Sequence, residues 1–177
     1  MVMNAPPPRR SRAALGRANR SKGHKAEREL ARYLRQWWPD ARRAVSAGWR
    51  TGERTSADRG DIAGTPALCW QVKNVEGMSD ADIAAARRET QDQAVAAGAD
   101  FGLLVQRRPG KSDPGRWWCW LELSDVICLL YDADAGLKFA EYDCPSRWAV
   151  ADVVDMLLGA GHGDPLSAHL SEGSIDA

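Results

Sequence analysis

Gly60-Asp61-Ile62-Ala63-Gly64-Thr65-Pro66-Ala67-Leu68-Cys69-Trp70-Gln71-Val72-Lys73 is the stretch that decides the fold. Asp61 to Gly64 begins one strand, Thr65-Pro66 turns the chain, and Ala67 to Lys73 makes a second, apolar strand. Pairing the two as a hairpin places Asp61 near Gln71 and Lys73. Gln71 and Lys73 are two residues apart on a strand, so they share a face. A polar pair on one face of an apolar strand is costly to bury without partners, and Asp61 supplies one. A carboxylate, an amide oxygen and a lysine at one sheet edge suit a hard divalent cation, which takes oxygen ligands and keeps several waters. Such an ion lowers the pKa of a bound water and shields a phosphodiester, and Lys73 would orient that water or stabilise the transition state. The string alone is short, and a surface strand ending in solvated polar residues is the other way to read it.

Upstream, residues 22–38 are predicted to be a helix. Ala26, Leu30, Tyr33, Leu34 and Trp37 form its apolar stripe, with Ser21 or Asn19 as cap and Pro39 as stop. Glu27 and Glu29 near its start suit the positive end of the helix dipole. Residues 42–46 are a short strand candidate, followed by a polar loop to Gly60. Downstream, Ser79 caps an alanine-rich helix that Gly98 ends. Phe101 to Gln106 reads as a buried strand, and Trp117 to Leu123 as another with Trp118 and Trp120 on one face. A short helix is expected over 123–130, and a last one over 147–159, capped by Ser146. The order predicts one α/β domain over 21–160, a small mixed sheet with helices on both faces. A disordered or partly ordered basic arm (1–20) precedes it and a flexible tail (161–177) follows.

The net charge is zero over 177 residues, but residues 1–60 hold 15 Lys and Arg against 5 Asp and Glu, and the remainder 9 against 19. That polarity points to a polyanion such as DNA at the basic part. The four cysteines form no CxxC pair and read mostly as reduced core thiols of a cytoplasmic protein. No apolar run has the length of a membrane span, and the arginine-bearing N-terminus is not expected to be a secretory signal.

Lys22-Gly23-His24-Lys25-Ala26-Glu27-Arg28-Glu29-Leu30 resembles the opening helix of the archaeal-type Holliday-junction resolvases, members of the PD-(D/E)xK nuclease superfamily. Val45-Ser46-Ala47-Gly48 resembles their serine-glycine loop, and Asp61 and Gln71-Val72-Lys73 follow in the family's order. The resemblance spans about residues 22–75, with weaker agreement to about 123. It implies a restriction-endonuclease-like core, a small mixed β-sheet flanked by helices. It also implies a homodimeric, Mg²⁺- or Mn²⁺-dependent endonuclease that cuts four-way DNA junctions, without a small-molecule cofactor or a membrane. By position, Glu27, Asp61, Gln71 and Val72 would hold the metal, Lys73 would be the catalytic lysine, and Ser46 the loop serine. Arg28 and Arg42 or Arg43 would contact DNA; beside the resemblance, Lys22, Lys25, Arg50 and Arg54 are expected to do so as part of the basic surface of the first helix and the loop 46–60. Gln71 stands where the family usually has a glutamate, which removes one negative charge from the site. The compact form resembles versions carried by phages. A nuclease of the same fold with a repair, restriction or packaging substrate is the next reading, and a catalytically silent junction binder the third. Trp117, Trp118 and Trp120 either stack on bases or fill a core or dimer interface. Gln91 or Gln93 either faces the site or lies on an exposed helix face.

Overall fold

A computed structural model describes residues 12–44, 60–131 and 144–164, with the backbone alone for 12–20. Helix α1 runs over Arg12–Leu34 and strand β1 over Arg42–Arg43. Strands β2 (Ile62–Ala63) and β3 (Leu68–Lys73) precede helix α2 (Asp80–Ala97). Then come β4 (Phe101–Gln106), β5 (Trp118–Glu122), α3 (Leu123–Tyr131), β6 (Pro145–Ala149) and α4 (Val150–Gly159). The main sheet has the order β3-β4-β5-β6; β3 and β4 are parallel, the other pairs antiparallel. The chain is therefore a mixed α/β protein, as its pattern predicts. No helix among the described residues is long and apolar enough to cross a membrane.

Alternation sorts the sheet into two faces. Trp70 and Val72 of β3, Leu103 and Val105 of β4, and Cys119 and Leu121 of β5 point into the main core. They meet Leu30 and Leu34 of α1 and Val153, Val154 and Leu157 of α4 there. The opposite face of β3 and β4 is covered by α2. That helix is defined by its ends: Ser79 Oγ accepts from the Asp82 N–H, the Asp82 carboxylate returns a bond to the Ser79 N–H, and Gly98 closes the helix with φ 63°.

Three expectations need correction. First, α1 begins at Arg12, ten residues before the predicted start, so 12–20 continues the helix rather than belonging to the arm. Arg, Ala and Leu dominate this stretch and favour helix even where no apolar stripe marks it. Second, Ser146 is not a helix cap. Residues 145–149 form an edge strand in which Ser146 Oγ donates to the Leu121 carbonyl and accepts from Trp148 Nε1. The helix starts only at Val150, where Asp152 accepts from the Ala149 N–H. Third, β2 does not pair with β3 as a hairpin but with β1, Arg42 opposite Ala63 and Arg43 opposite Ile62. The start of the expected tail is tied down, since the Asp164 N–H donates to the Trp37 carbonyl. None of the described cysteines is in a disulfide; Cys69 and Cys119 are buried, Cys128 is partly buried, and Cys144 is exposed.

Candidate active site

Asp61 is fixed at the open edge of β3 by all three of its polar groups. Its N–H donates to the Trp70 carbonyl at 2.7 Å and its carbonyl accepts from the Ala44 N–H at 2.8 Å. Its carboxylate Oδ2 accepts from the Val72 N–H at 2.7 Å. Residue 61 therefore bridges β3 and the β1-β2 ribbon, which brings it beside Gln71 and Lys73 without a hairpin. Gly60 makes this approach possible. Its φ is 82°, and a Cβ there would stand 2.6 Å from the Trp70 carbonyl oxygen.

The edge also fixes one carbonyl. The Lys73 carbonyl accepts from the Arg107 N–H on the β4 side. Neighbouring strand residues point their backbone groups to opposite sides, so the Val72 carbonyl faces the open edge with its own N–H, beside the Asp61 carboxylate. An anionic carboxylate and a carbonyl oxygen thus lie side by side.

Gln71 and Lys73 share a face, as predicted, and that face meets α2. Gln71 is buried, and its amide oxygen lies 3.2 Å from Thr90 Oγ, which lies 2.7 Å from the Ala86 carbonyl. A hydroxyl has one proton, and the shorter contact takes it. The longer contact is then better met by the Gln71 NH₂ donating to Thr90 Oγ, which leaves the amide oxygen for another partner. Lys73 Nζ forms a 2.9 Å ion pair with Glu89. Glu89 and Thr90 are thus neighbours of the site that sequence reasoning missed. The available signal was Thr90 itself, a hydroxyl in the buried stripe Ile83, Ala86, Thr90, Ala94.

Glu27 approaches from α1. It is buried and paired with Arg43, which lies opposite Ile62 and so next to Asp61. The middle of α1 is held to the same end of the sheet, because Asn74 Nδ2 donates to the Lys22 carbonyl at 2.9 Å and Arg107 pairs with Glu29 at 3.3 Å. Glu27, Asp61, Val72 and Lys73 therefore all lie towards the C-terminal end of β3, Glu27 on the α1 side of the sheet and Lys73 on the α2 side. Arg43 is committed to Glu27 and is not presented outward. Lys22, Lys25 and Arg28 are exposed along α1. Arg42 is exposed too, but it turns away, towards a concavity of about 840 Å³ at the other end of β3 around Asp40, Gly64 and Gly98. Ser46, Arg50 and Arg54 lie outside the described residues. Gln91 faces Gly102 of β4, not the site, and Gln93 lines the outer side of α2 with Arg88, Glu89 and Asp92.

Among the described residues no group of three or more His, Cys, Asp or Glu side chains forms a metal-binding cluster. The donors at the β3 edge are of another kind, one carboxylate with backbone and amide oxygens. That set suits Mg²⁺, which is held by one or two carboxylates and keeps its waters, and does not suit zinc. Beside the site, a groove of about 310 Å³ is lined by Asn74, Glu76, Arg107, Arg108 and Lys111. Comparison with known protein families, with curated proteins and with solved structures found no match to the chain.

Proposed function

We propose that this protein is a metal-dependent, structure-selective DNA endonuclease of the PD-(D/E)xK type, acting on four-way junctions in the manner of the Holliday-junction resolvases. The observation that carries the reading is the Asp61 carboxylate docked on the Val72 N–H, between Gln71 and Lys73 and next to the Glu27–Arg43 pair. In this reading Asp61 and the Val72 carbonyl hold Mg²⁺ or Mn²⁺, Gln71 adds its amide oxygen, and Glu27 supplies a second charge on leaving Arg43. The ion supplies acidification of a bound water and neutralisation of phosphodiester charge. Lys73 presents its ammonium at the strand end, where it exchanges Glu89 for the phosphate or the attacking water. Lys22, Lys25 and Arg28 track the backbone without reading sequence, so binding is strongly salt-dependent. Arg43, released when Glu27 turns to the ion, belongs to the same reading with Arg50, Arg54 and Ser46, as does action as a homodimer on two strands.

The test is incubation of the pure protein with a labelled four-way junction and Mg²⁺, with Lys73→Ala as control. Cleavage by the wild type alone supports the reading, and identical products from both proteins overturn it. Preference for linear duplex would move the assignment to another nuclease of the same type. A second reading, a junction-binding protein without catalysis, is favoured by Gln71 in place of an acid and by the engagement of Gln71 and Lys73 with α2. Tight junction binding with no cleavage at any Mg²⁺ or Mn²⁺ concentration would select it.

A further inference from the structure

The sheet face that α2 covers over β3 and β4 continues across β5 and β6, where its character changes. Trp118 and Trp120 point to this side, opposite the core residues Cys119 and Leu121, and both stay partly exposed. Two guanidinium groups lie against them. Arg108 Cζ is 4.3 Å and Arg147 Cζ 4.5 Å from the Trp118 ring centre, and Arg147 is also 5.5 Å from Trp120. The strand register builds this ladder, with Arg147 opposite Trp120 and Trp118 opposite Gln106. Among the described residues neither guanidinium forms an ion pair or a hydrogen bond. Their charge and donors are therefore unspent, while the indoles hold the two groups in place.

We propose that the Arg108–Trp118–Arg147–Trp120 face of β5 and β6 binds single-stranded nucleic acid. Phosphates take the unspent guanidinium donors, and unstacked bases take the planar groups of the ladder. Charge selects this occupant. The acid on the same strand, Glu122, is committed to the buried Arg87, so the outward charge is cationic. A second copy placed on this face by a two-fold axis would set Arg108 and Arg147 against their own like charges. The ladder also continues into the groove of about 310 Å³, which Arg108 lines together with Arg107, Lys111, Asn74 and one acid, Glu76, so that cations outnumber acids there. Asn74 follows Lys73 directly, so one strand can run from the β3 edge through the groove to the tryptophans. The inference goes beyond hydrolysis and does not depend on it, because it concerns the grip on unpaired strands.

The test is fluorescence anisotropy of a labelled oligothymidylate in EDTA, with the full chain and a salt series. Arg108→Gln combined with Arg147→Gln is expected to weaken binding about tenfold or more at low salt and to flatten the salt slope by about 1.4, for two phosphate contacts. Trp118→Leu is expected to weaken binding by about tenfold, and Trp118→Phe to restore most of it. Arg108→Lys with Arg147→Lys is expected to keep the salt slope and lose affinity, since charge remains and the stacked plane is gone. Arg88→Gln, which removes an exposed cation from the outer side of α2, should bind as the wild type does. Unchanged binding in every folded variant would overturn the proposal. So would a wild-type dimer that the double glutamine variant turns into a monomer in sedimentation velocity, since the face would then join two copies.

Discussion

Asp61 has an architectural role that can be separated from its chemistry. Its carboxylate accepts from the Val72 N–H at 2.7 Å, and Asp61→Ala removes that acceptor. A hydrogen bond to a charged group contributes about 1.5–3 kcal/mol. Asp61 is only partly buried, so water reaches the vacated N–H and the low end applies, about 1.5 kcal/mol. For a chain of this size 1 kcal/mol moves Tm by about 2–4 °C, so the alanine variant should melt about 3–6 °C below the wild type. Asp61→Asn keeps an oxygen facing Val72 and loses only the charge. Its loss should be about 0.5 kcal/mol, within about 2 °C. Both variants should be inactive on a junction, because an amide is a poor ligand for a hard cation. The assay is thermal unfolding followed by circular dichroism, with cleavage measured on the same preparations. An asparagine variant as unstable as alanine, or an alanine variant as stable as the wild type, would refute the role of the Val72 bond.

Gly60→Ala should destabilise the fold by at least about 1–3 kcal/mol, because φ is 82° and the new Cβ would stand 2.6 Å from the Trp70 carbonyl oxygen; an unchanged melting temperature would contradict this. Burial, partly offset by Arg87, raises the Asp125 carboxyl to about 6, while the unfolded chain ionises near 3.9. The folded state therefore holds the proton more tightly, and this stabilisation is full below about pH 4 and lost as pH rises through about 6. Asp125→Asn is accordingly expected to gain on the order of 2–3 kcal/mol over the wild type at pH 8 and almost nothing at pH 4, read from urea unfolding. Glu89→Ala should cost less than about 1 kcal/mol, since Glu89 is 53% exposed. It should leave junction cleavage intact or raise it by releasing Lys73; abolished cleavage by the folded variant would show that Glu89 belongs to the chemistry.

Local signals were the legible ones. Ser79 and Gly98 bracket α2 within one residue because caps act on their own helix. The shared face of Gln71 and Lys73 follows from strand alternation, and the two-sided sheet follows from the order of apolar runs. The start of α1 was hidden because periodicity reports burial, and residues 12–20 are helical without an apolar stripe in their sequence. Strand β6 was hidden because Trp148, Val150 and Val153 fit a helical stripe, while the pairing that makes 145–149 a strand comes from β5. At the site, the approach of Asp61 to the 71–73 segment was readable from spacing, but its route was not, since β2 chose β1 as partner. The pairs Lys73–Glu89 and Glu27–Arg43 each join residues 16 apart and depend on how the helices sit on the sheet. The tryptophan–arginine ladder needs the β4–β5–β6 register, which no single segment encodes.

Calorimetric titration with Mn²⁺ tests the central claim most directly, that the β3 edge between Asp61 and Val72 is a cation site. The wild type should release or absorb heat with saturable binding, and Asp61→Asn, folded to nearly the same stability, should give none. Equal heats for the two proteins would place any bound ion elsewhere and contradict the account.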